Sequence, residues 1–271
     1  MAAGTGIERI AAAFEVARSE GRAALMPYLM GGYPDLPSSL AVARAYADAG
    51  ADLIELGAPY SDPLADGPLI HAAATEALAG GTTLADVLTI SAELGDRLPI
   101  LPMVYANMAL APGAERFAEL LADAGAAGVI VPDLPPGEDR ELPEALASRG
   151  LALIPFVAPT TPPERRKRLL ADAEGFVYVV SLTGVTGERE ALPSELTGLV
   201  SAVREESGVP AAVGFGISTP ERAAEVGAIA DGVIIGSRLV RAAGEAGTDP
   251  AAAAQAVTGF VAETRALLVA G

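Results

Sequence analysis

Short, continuously apolar runs recur along the chain and alternate with segments of helical periodicity. Because these runs do not alternate apolar with polar residues, they predict strands that are covered on both faces of a parallel sheet. The starts of the runs are mostly about 20 to 30 residues apart, which is the spacing of repeated strand–helix units. We therefore predict eight strands, at residues 24–30, 52–56, 99–105, 128–131, 152–157, 176–180, 210–215 and 231–235.

The segments between these runs carry helix signals. LPSSLAVARAYADAG and PGAERFAELLADAGA both place apolar residues at i, i+3 and i+4 and end at glycine. DAGADLIELG, DAGAAGVIVPD and GAIADGVIIGS join a helix to a strand through a similar glycine–alanine turn, which indicates a repeated unit. Eight such units and one extra N-terminal helix predict an α/β fold, a single (β/α)8 TIM barrel domain over residues 1–271. A doubly wound open sheet is the alternative, although no GxGxxG follows the first strand.

Composition narrows the classes of function. The formal net charge of −17 predicts a surface that repels nucleic acid and anionic membranes. The chain has no cysteine and one histidine, His71, so we expect no thiolate or multi-histidine metal site and a structural or peripheral role for His71. Its one lysine, Lys167, lies in a charged helical start rather than in the apolar pocket that a Schiff base needs. The N-terminus does not read as a signal peptide and no run reaches the roughly 18 apolar residues of a membrane span, so we expect a cytoplasmic protein.

In a TIM barrel, catalytic groups lie at the C-terminal ends of the strands and in the loops that follow. Glu55 stands at the end of the second predicted strand. Leu53 and Glu55 share one face of this strand, whereas Ile54 lies on the other. If the first face points inward, the carboxyl group enters the barrel mouth, and loss of solvation raises its pKa towards values useful for proton transfer. The alternative is a structural glutamate that is paired with an arginine or with backbone N–H groups.

A second carboxylate, Asp66, lies in the loop after this strand. Pro59, Pro63 and Pro68 each fix one φ angle and reduce the freedom of the loop. A stiff loop is expected where a side chain must be placed accurately. The alternative is that Asp66 only caps a turn before Gly67 or the next helix.

Three late loops are rich in glycine and indicate a phosphate-binding site. They read TGVTG (183–187), GFGIS (214–218) and GS (236–237), and they follow the sixth, seventh and eighth predicted strands. Many barrels bind phosphate in the last two of these loops, where glycine lets backbone N–H groups approach the anion and a helix N-terminus adds a favourable dipole. SRLVRAAGE (237–245) predicts such a helix, with Ser237 at its start. Tight turns without a ligand are the alternative.

These motifs resemble those of the tryptophan synthase alpha subunit family. ELGAPYSDPLADGP resembles the signature of the family around the second strand. The other matches follow in the order of the family: PYLMGGYP, YAN (105–107), PDLP (132–135), GVTG (184–187), GFGIS and the final glycine–serine pair. The resemblance spans essentially the whole chain. It implies a lyase that performs the retro-aldol cleavage of indole-3-glycerol phosphate to indole and glyceraldehyde 3-phosphate.

The resemblance also implies roles for individual residues. Glu55 and Asp66 match the two catalytic carboxylates of the family. Asp66 would accept a hydrogen bond from the indole N–H and stabilise a transient cation, while Glu55 would protonate C3 of indole and take a proton from the glycerol hydroxyl. Tyr178 on the sixth strand matches an active-site tyrosine that positions the substrate, although it also fits ordinary core packing.

The same resemblance implies where the two ends of the substrate would lie. The phosphate group would be bound by Gly187, Gly216, Gly236 and Ser237. The indole ring would be enclosed by Tyr28, Met103, Phe215 and Ile235, each of which also fits a plain core position.

A partner is implied as well, a PLP-bearing beta subunit in an alpha2beta2 heterotetramer, so that this chain itself would hold no cofactor. Pro59, Asp62 and Asn107, in the loops after the second and third strands, would face the beta subunit, and indole would pass to it without release. The chain departs from the family pattern at Leu182, where an arginine is often found two residues before GVTG, and this puts the contacts of loop closure in doubt. A stand-alone lyase that releases free indole therefore stays open as the alternative.

Two other classes of function fit less well. A phosphosugar isomerase on the same barrel uses an acid and a base at the ends of the first and fifth strands, but ALMPYLM and ALIPFV carry neither a carboxylate nor a cysteine. A barrel that only binds a partner would not need Glu55 and Asp66 together.

Overall fold

The computed structural model describes residues 4–134, 140–180, 194–214 and 216–270. All strand pairs in these ranges are parallel. The strands are β1 (Ala24–Met30), β2 (Ile54–Gly57), β3 (Ile100–Met103), β4 (Gly128–Ile130), β5 (Ala152–Ile154), β6 (Phe156–Val157), β7 (Val177–Val180), β8 (Ala211–Gly214) and β9 (Gly232–Ile235). Their order in the sheet is β5-β4-β3-β2-β1-β9-β8-β7-β6.

Helices follow the strands and surround the sheet. Within the ranges given above, no helix is both long enough and apolar enough to cross a membrane. The helices are α1 (Gly6–Ser19), α2 (Leu36–Asp48), α3 (Pro68–Ala79), α4 (Leu84–Leu94), α5 (Ala106–Leu110), α6 (Ala114–Asp123), α7 (Glu141–Ser148), α8 (Pro163–Ala171), α9 (Ser194–Glu206), α10 (Pro220–Gly227), α11 (Ser237–Glu245) and α12 (Pro250–Ala270). The predicted extra N-terminal helix is α1, and the predicted helix over residues 237–245 is α11.

The predicted fifth strand is divided in two at Pro155. Its lower half, β5, pairs with β4, and its upper half, β6, pairs with β7. A proline has no N–H to give to a ladder, but the carbonyl of Pro155 still accepts a hydrogen bond from the backbone N–H of Tyr178 at 2.9 Å. The two ends of the sheet are therefore halves of one barrel strand, and the sheet closes on itself. This confirms the TIM barrel over the open-sheet alternative and explains why the described ranges contain nine strands where eight are predicted.

Side chains of the strands alternate between the barrel interior and the layer of helices. Met26 on β1 belongs to the interior cluster, whereas its neighbour Leu25 packs in the cluster that faces the helices. Leu53, just before β2, is likewise inside, and Ile54 is outside. This is the orientation that the sequence predicts for the second strand, and it directs the side chain at position 55 inward.

The first helix closes the N-terminal end of the barrel. Ile10 and Phe14 of α1 are buried in the interior cluster, and the ring of Phe14 lies 5.6 Å from that of Phe176. A Cβ atom at Gly232 would lie 2.9 Å from the Phe14 ring, so the close approach of helix and strand depends on this glycine. Apolar side chains therefore fill this end of the barrel interior.

A buried ion pair joins the elements at the sealed end. The side chain of Arg22, which is 0% exposed, donates to both carboxylate oxygens of Asp52 at 2.5 and 2.7 Å. The same carboxylate accepts a hydrogen bond from the N–H of Leu25 at 2.8 Å. Glu20 accepts from Arg22 at 2.8 Å and from Arg265 of α12 at 2.6 Å. The network thus connects the segments around α1, β1, β2 and α12.

The three repeated helix–strand turns are not identical. Gly50 and Gly125 have φ angles of 92° and 64°, the left-handed region in which a helix commonly ends at glycine. Gly227, in the third copy, is instead the last residue of α10. A Cβ atom there would lie 2.6 Å from the Leu268 side chain, so this glycine serves helix packing rather than a turn.

We expect Asp52→Asn to lower the free energy of unfolding by about 3 kcal/mol, because it leaves the buried Arg22 guanidinium without its main counter-charge. Urea titration followed by circular dichroism measures this change. Asp48→Asn is the matched control: Asp48 pairs with Arg97 at 2.6 Å, but the two side chains are 68% and 46% exposed. We expect the control to lose less than about 1 kcal/mol of unfolding free energy. Equal losses for the two variants would show that the buried ion pair stabilises the fold no more than the exposed one.

Candidate active site

The carboxyl group of Glu55 is buried at the open mouth of the barrel. Glu55 lies on β2 and is 2% exposed. In the register of the sheet it stands between Tyr28 on β1 and Leu101 on β3. Its neighbours Ile54 and Leu56 pack on the other face, against the helices. The structure therefore places this side chain inside, as the alternation predicts.

Burial raises the pKa of Glu55 to about 8. The hydroxyl of Tyr178 donates a long hydrogen bond to Oε2, at 3.4 Å, and this contact opposes the shift. The negative charge of Asp66 adds to the shift. A carboxyl group with a pKa near neutrality exists in both its acid and its base form, which suits a group that must give and then take a proton.

Tyr178 reaches the mouth from β7, on the far side of the barrel from β2. Its ring stacks on that of Phe156 with centroids 4.8 Å apart. A Cβ atom at Gly214 would lie 2.7 Å from the Tyr178 hydroxyl, so the glycine at the end of β8 leaves room for it. Burial and the charge of Glu55 raise the pKa of Tyr178 well above its ordinary value. The hydroxyl therefore keeps its proton and remains a donor.

Asp66 lies between β2 and α3 and is half-buried. Burial raises the pKa of its carboxyl group to about 6, while a hydrogen bond with the Tyr105 hydroxyl and the charge of His71 act in the opposite direction. His71 itself is exposed on α3, as its predicted peripheral role requires. The N-cap of α3 is Gly67 and has no side-chain cap in this described segment, which argues against a capping role for Asp66.

Tyr105, just after β3, holds the loop that carries Asp66. Its hydroxyl accepts a hydrogen bond from the N–H of Ala65 at 3.1 Å, and its ring stacks on that of Tyr60 with centroids 5.0 Å apart. The Tyr60 hydroxyl in turn accepts a hydrogen bond from Nδ2 of Asn107 at 2.8 Å. Sequence reasoning assigned no role to Tyr105, although its position after the C-terminal end of a strand was an available signal.

Tyr28 lies on β1, the strand between β9 and β2. Its Cβ atom lies 3.7 Å from the position that a Cβ atom would take at Gly236, and its hydroxyl lies 2.1 Å from the corresponding position at Gly57. Tyr28 is 4% exposed, and its hydroxyl has no hydrogen-bond partner among the described residues. Met103 of β3 packs against the same cluster. Tyr28 and Met103 thus belong to one apolar cluster, on the strands that flank Glu55.

The predicted phosphate-binding residues that the structure describes lie at the ends of β8 and β9, which are neighbours in the sheet. Gly236 is the N-cap of α11 and Ser237 is its first residue. Gly216, in the preceding loop, is exposed and has a φ angle of 31°, in the range that favours glycine. Gly187 lies outside the described residues. The start of α11 beside Tyr28 therefore offers backbone N–H groups at the rim of the mouth.

Comparisons with known proteins agree with this geometry. The family model for the tryptophan synthase alpha chain matches residues 14–268. The tryptophan synthase alpha chain of Synechococcus sp. (strain CC9902) is 50% identical over 235 residues, covering 86% of this chain and 87% of the relative. That of Synechocystis sp. (strain ATCC 27184 / PCC 6803 / Kazusa) is 47% identical over 259 residues, covering 94% and 97%. This chain belongs to the tryptophan synthase alpha chain family.

Solved structures of the family share the fold. A chain of Mycobacterium tuberculosis tryptophan synthase superposes with a TM-score of 0.89 at 38% identity, covering 97% of this chain and 99% of that one. The tryptophan synthase subunit alpha of Legionella pneumophila str. Paris superposes with a TM-score of 0.85 at 34% identity, covering 96% and 98%. The lyase class, tryptophan biosynthesis and the TIM barrel therefore stand as family properties.

One residue that was predicted to enclose an indole ring is corrected. Ile235 packs in the cluster that faces the helices, while Ile234, its neighbour on β9, belongs to the interior cluster. The reason is the alternation along β9, in which Gly232 faces Phe14 inside the barrel. Phe215 lies outside the described residues.

The predicted partner-facing residues differ in exposure. Asp62 and Asn107 are exposed, but Pro59 is buried within the chain, so the expectation that Pro59 faces a partner is corrected. The backbone just before Pro59 is held against β3, because the N–H of Ala58 donates to the carbonyl of Met103 at 2.9 Å. Leu64, nearby in the same loop, is 88% exposed. Leu182 lies outside the described residues.

The described residues offer no cluster of side chains for a metal ion, and the lysine is at the surface. Within residues 4–134, 140–180, 194–214 and 216–270, no group of three or more His, Cys, Asp or Glu side chains could hold a metal ion. Lys167 is exposed on α8, on the solvated face that the sequence predicts.

The raised pKa of Glu55 predicts a pH dependence of stability. The folded-state pKa, about 8, lies above the ordinary value of 4.5, so the contribution of this group is fully present below pH 4.5 and is lost as pH rises towards 8. Relative to wild type, we expect Glu55→Gln to gain about 1 kcal/mol of unfolding free energy per pH unit within this window. Urea titrations at a series of pH values measure the difference.

Asp66→Asn provides the matched comparison. Its window lies lower, between the ordinary value of 3.8 and the folded-state value of about 6. The unfolding free energies of the two variants should therefore diverge from that of wild type over different pH ranges. A difference between Glu55→Gln and wild type that does not change with pH would show that Glu55 titrates normally in the folded chain.

Proposed function

We propose that this chain cleaves indole-3-glycerol phosphate to indole and glyceraldehyde 3-phosphate, as the alpha chain of a tryptophan synthase. The observation that carries the proposal is the pair of acidic groups at one barrel mouth, with pKa values raised to about 8 for Glu55 and about 6 for Asp66. Near neutral pH such a pair holds one protonated and one ionised carboxyl group. Two carboxyl groups with separated pKa values supply an acid and a base in the same site.

The ionised Asp66 is suited to the indole ring. Protonation of C3 makes the ring a cation whose positive charge is shared with nitrogen. A carboxylate that accepts the N–H hydrogen bond stabilises this charge as it develops. The hydrogen bonds that Tyr105 makes with Asp66 and with the N–H of Ala65 hold the loop in place before the substrate arrives. Such positioning lowers the cost of reaching the reactive geometry.

The protonated Glu55 is suited to the carbon–carbon bond. It gives its proton to C3, and its carboxylate then takes the proton of the adjacent glycerol hydroxyl. The electron pair of the breaking bond returns to the ring, which restores neutral indole and leaves an aldehyde on glyceraldehyde 3-phosphate. Glu55 ends the cycle protonated, so no other proton carrier is required. Tyr178, which donates to Glu55 at 3.4 Å, would orient that carboxyl group and the substrate beside it.

The phosphate group of the substrate would lie at the start of α11. Gly236 and Ser237 would donate backbone N–H groups there, and the loops of Gly216 and Gly187 would complete the cradle. Binding through helix N-termini and glycine loops needs no lysine, which fits a chain with one lysine and a net charge of −17.

The partner would be a tryptophan synthase beta subunit that carries PLP, in an alpha2beta2 assembly in the cytoplasm, and this chain would need no cofactor of its own. Asp62 and Asn107 are exposed in the loops after β2 and β3, as is the apolar Leu64. Exposed apolar side chains rimmed by polar ones are typical of a docking surface. Indole would then pass to the beta subunit without release.

A spectrophotometric assay of indole release tests the proposed reaction. Wild-type protein should cleave indole-3-glycerol phosphate, and Glu55→Gln should lower kcat by about 100-fold or more, because the proton donor is lost. Glu119→Gln is the matched control, since Glu119 is an exposed carboxylate on α6 that pairs with Arg116, and its activity should equal that of wild type. Full activity of Glu55→Gln in a folded protein would end the assignment of the proton carrier.

The same assay separates a synthase subunit from a stand-alone lyase. Addition of the purified beta subunit should accelerate cleavage severalfold if loops after β2 and β3 receive it. Rapid turnover that does not respond to the beta subunit would favour the stand-alone lyase and would overturn the proposed assembly.

The pH dependence of kcat/KM should be bell-shaped. Activity should rise as Asp66 ionises, near pH 6, and fall as Glu55 loses its proton, near pH 8. Because the two groups interact, these apparent values belong to the pair. Asp66→Asn should remove the acid limb and retain the alkaline one. A profile with no alkaline limb would contradict the need for a protonated Glu55.

A further inference from the structure

The hydroxyl of Tyr28 is a buried polar group without a hydrogen-bond partner among the described residues. Burial of a hydroxyl away from water without a hydrogen bond costs folding free energy, so such groups call for an explanation. Three other buried side-chain oxygens in the described parts of the chain share this state, those of Ser38, Ser91 and Thr264. They lie on α2, α4 and α12 rather than on a strand of the barrel. Tyr28 alone among these four borders the candidate active site.

The surrounding structure makes room for this hydroxyl. A Cβ atom at Gly57 would lie 2.1 Å from the Tyr28 oxygen, a distance that no side chain could tolerate. At the other end of the same residue, its Cβ atom lies 3.7 Å from the position of a Cβ atom at Gly236. Glycines at the ends of β2 and β9 thus flank the tyrosine at both ends, and its hydroxyl is directed towards the end of β2.

The chemical state of the hydroxyl makes it a donor. Burial raises the pKa of Tyr28 well above its ordinary value, and the charges of Asp66 and Glu55 add to the effect. The proton therefore stays on the oxygen. Since no described residue accepts it, the hydroxyl is free to donate to a ligand that enters the mouth.

The position of Tyr28 determines which part of a ligand its hydroxyl can reach. The residue spans the interval between Gly236, at the proposed phosphate end, and the β2 segment of Glu55 and Gly57. In indole-3-glycerol phosphate, the hydroxylated three-carbon chain spans the same interval, between the phosphate group and C3 of the ring. The oxygens of this chain are the acceptors nearest to the reacting carbon atoms.

We propose that the Tyr28 hydroxyl donates a hydrogen bond to an oxygen of the glycerol chain and so positions the bond that is to break. The inference rests on the proposed function, and it deepens it: the mouth would select a hydroxylated side chain over an unsubstituted alkyl chain. A site that is built to bond a substrate hydroxyl discriminates against an analogue that lacks it.

Tyr28→Phe tests the proposal because it removes the hydroxyl and keeps the ring. Two ligands are compared, indole-3-glycerol phosphate and 3-(indol-3-yl)propyl phosphate, which lacks both glycerol hydroxyls. We expect kcat/KM for indole-3-glycerol phosphate to fall about tenfold, the effect of one lost hydrogen bond. The Kd of the alkyl analogue, measured by calorimetry, should stay within about twofold of wild type, because it offers no acceptor to either variant.

Thermal unfolding of the ligand-free protein distinguishes the proposed role from a structural one. If the Tyr28 hydroxyl only stabilised the fold, its removal in Tyr28→Phe should lower Tm. Loss of an unpartnered hydroxyl should leave Tm unchanged or raise it. Tyr46→Phe is the matched control: the buried Tyr46 hydroxyl donates to the carbonyl of Tyr28 at 3.1 Å. That variant should have a lower Tm, while the ratio of affinities for the two ligands should not change.

Different measurements test the proposed reaction and the proposed role of Tyr28. The Kd of uncleaved indole-3-glycerol phosphate is measured in the Glu55→Gln background, with and without Tyr28→Phe, so that binding is tested whether or not the wild type turns it over. Absence of cleavage by wild type would defeat the proposed function alone. An equal loss of affinity for both ligands, or unchanged affinity for indole-3-glycerol phosphate with unchanged kcat/KM, would overturn the role of Tyr28.

Discussion

The barrel buries the carboxyl group of Glu55 at its mouth, while the interior below it is apolar. Glu55 takes this position because it is the last inward-facing side chain before the mouth, one step above an apolar interior that α1 seals from the other end. Lower in the barrel, the same group would be inaccessible to any substrate. Further out in the loop, water would keep its pKa low. The chemistry thus depends on the depth of a single side chain.

Asp66 shows the complementary arrangement. It comes from a loop, is only half-buried and is held by an aromatic residue of the next loop. Its pKa rises less than that of Glu55 because it keeps part of its solvation and gains the Tyr105 hydrogen bond. Two chemically similar groups therefore differ in protonation because one is attached to a strand and the other to a loop. Separation of acid from base follows from the fold rather than from residue type.

The amino-acid sequence predicts the fold and the two acidic groups because both leave local signals. Apolar runs mark the strands, and Glu55 marks which face of β2 is inward, since its neighbours are apolar. β9 has no such polar mark, and its inward residue was therefore misassigned to Ile235 instead of Ile234. The burial of Pro59 and the particular contacts of Tyr105 could not be predicted, because both depend on segments that are distant in sequence. The position of Tyr105 after the end of a strand did signal that it lies near the mouth. The division at Pro155 did have a local signal, the missing N–H of proline.

That division decides which half of the barrel each part of the split strand contacts. In the pairings that the structure describes, the lower half of the split strand is hydrogen-bonded to β4 and the upper half to β7. Phe156, on the upper half, stacks on Tyr178. Pro155 is therefore a boundary in the barrel wall: the residues after it support the strand of Tyr178, and the residues before it support the half of the barrel that carries Glu55.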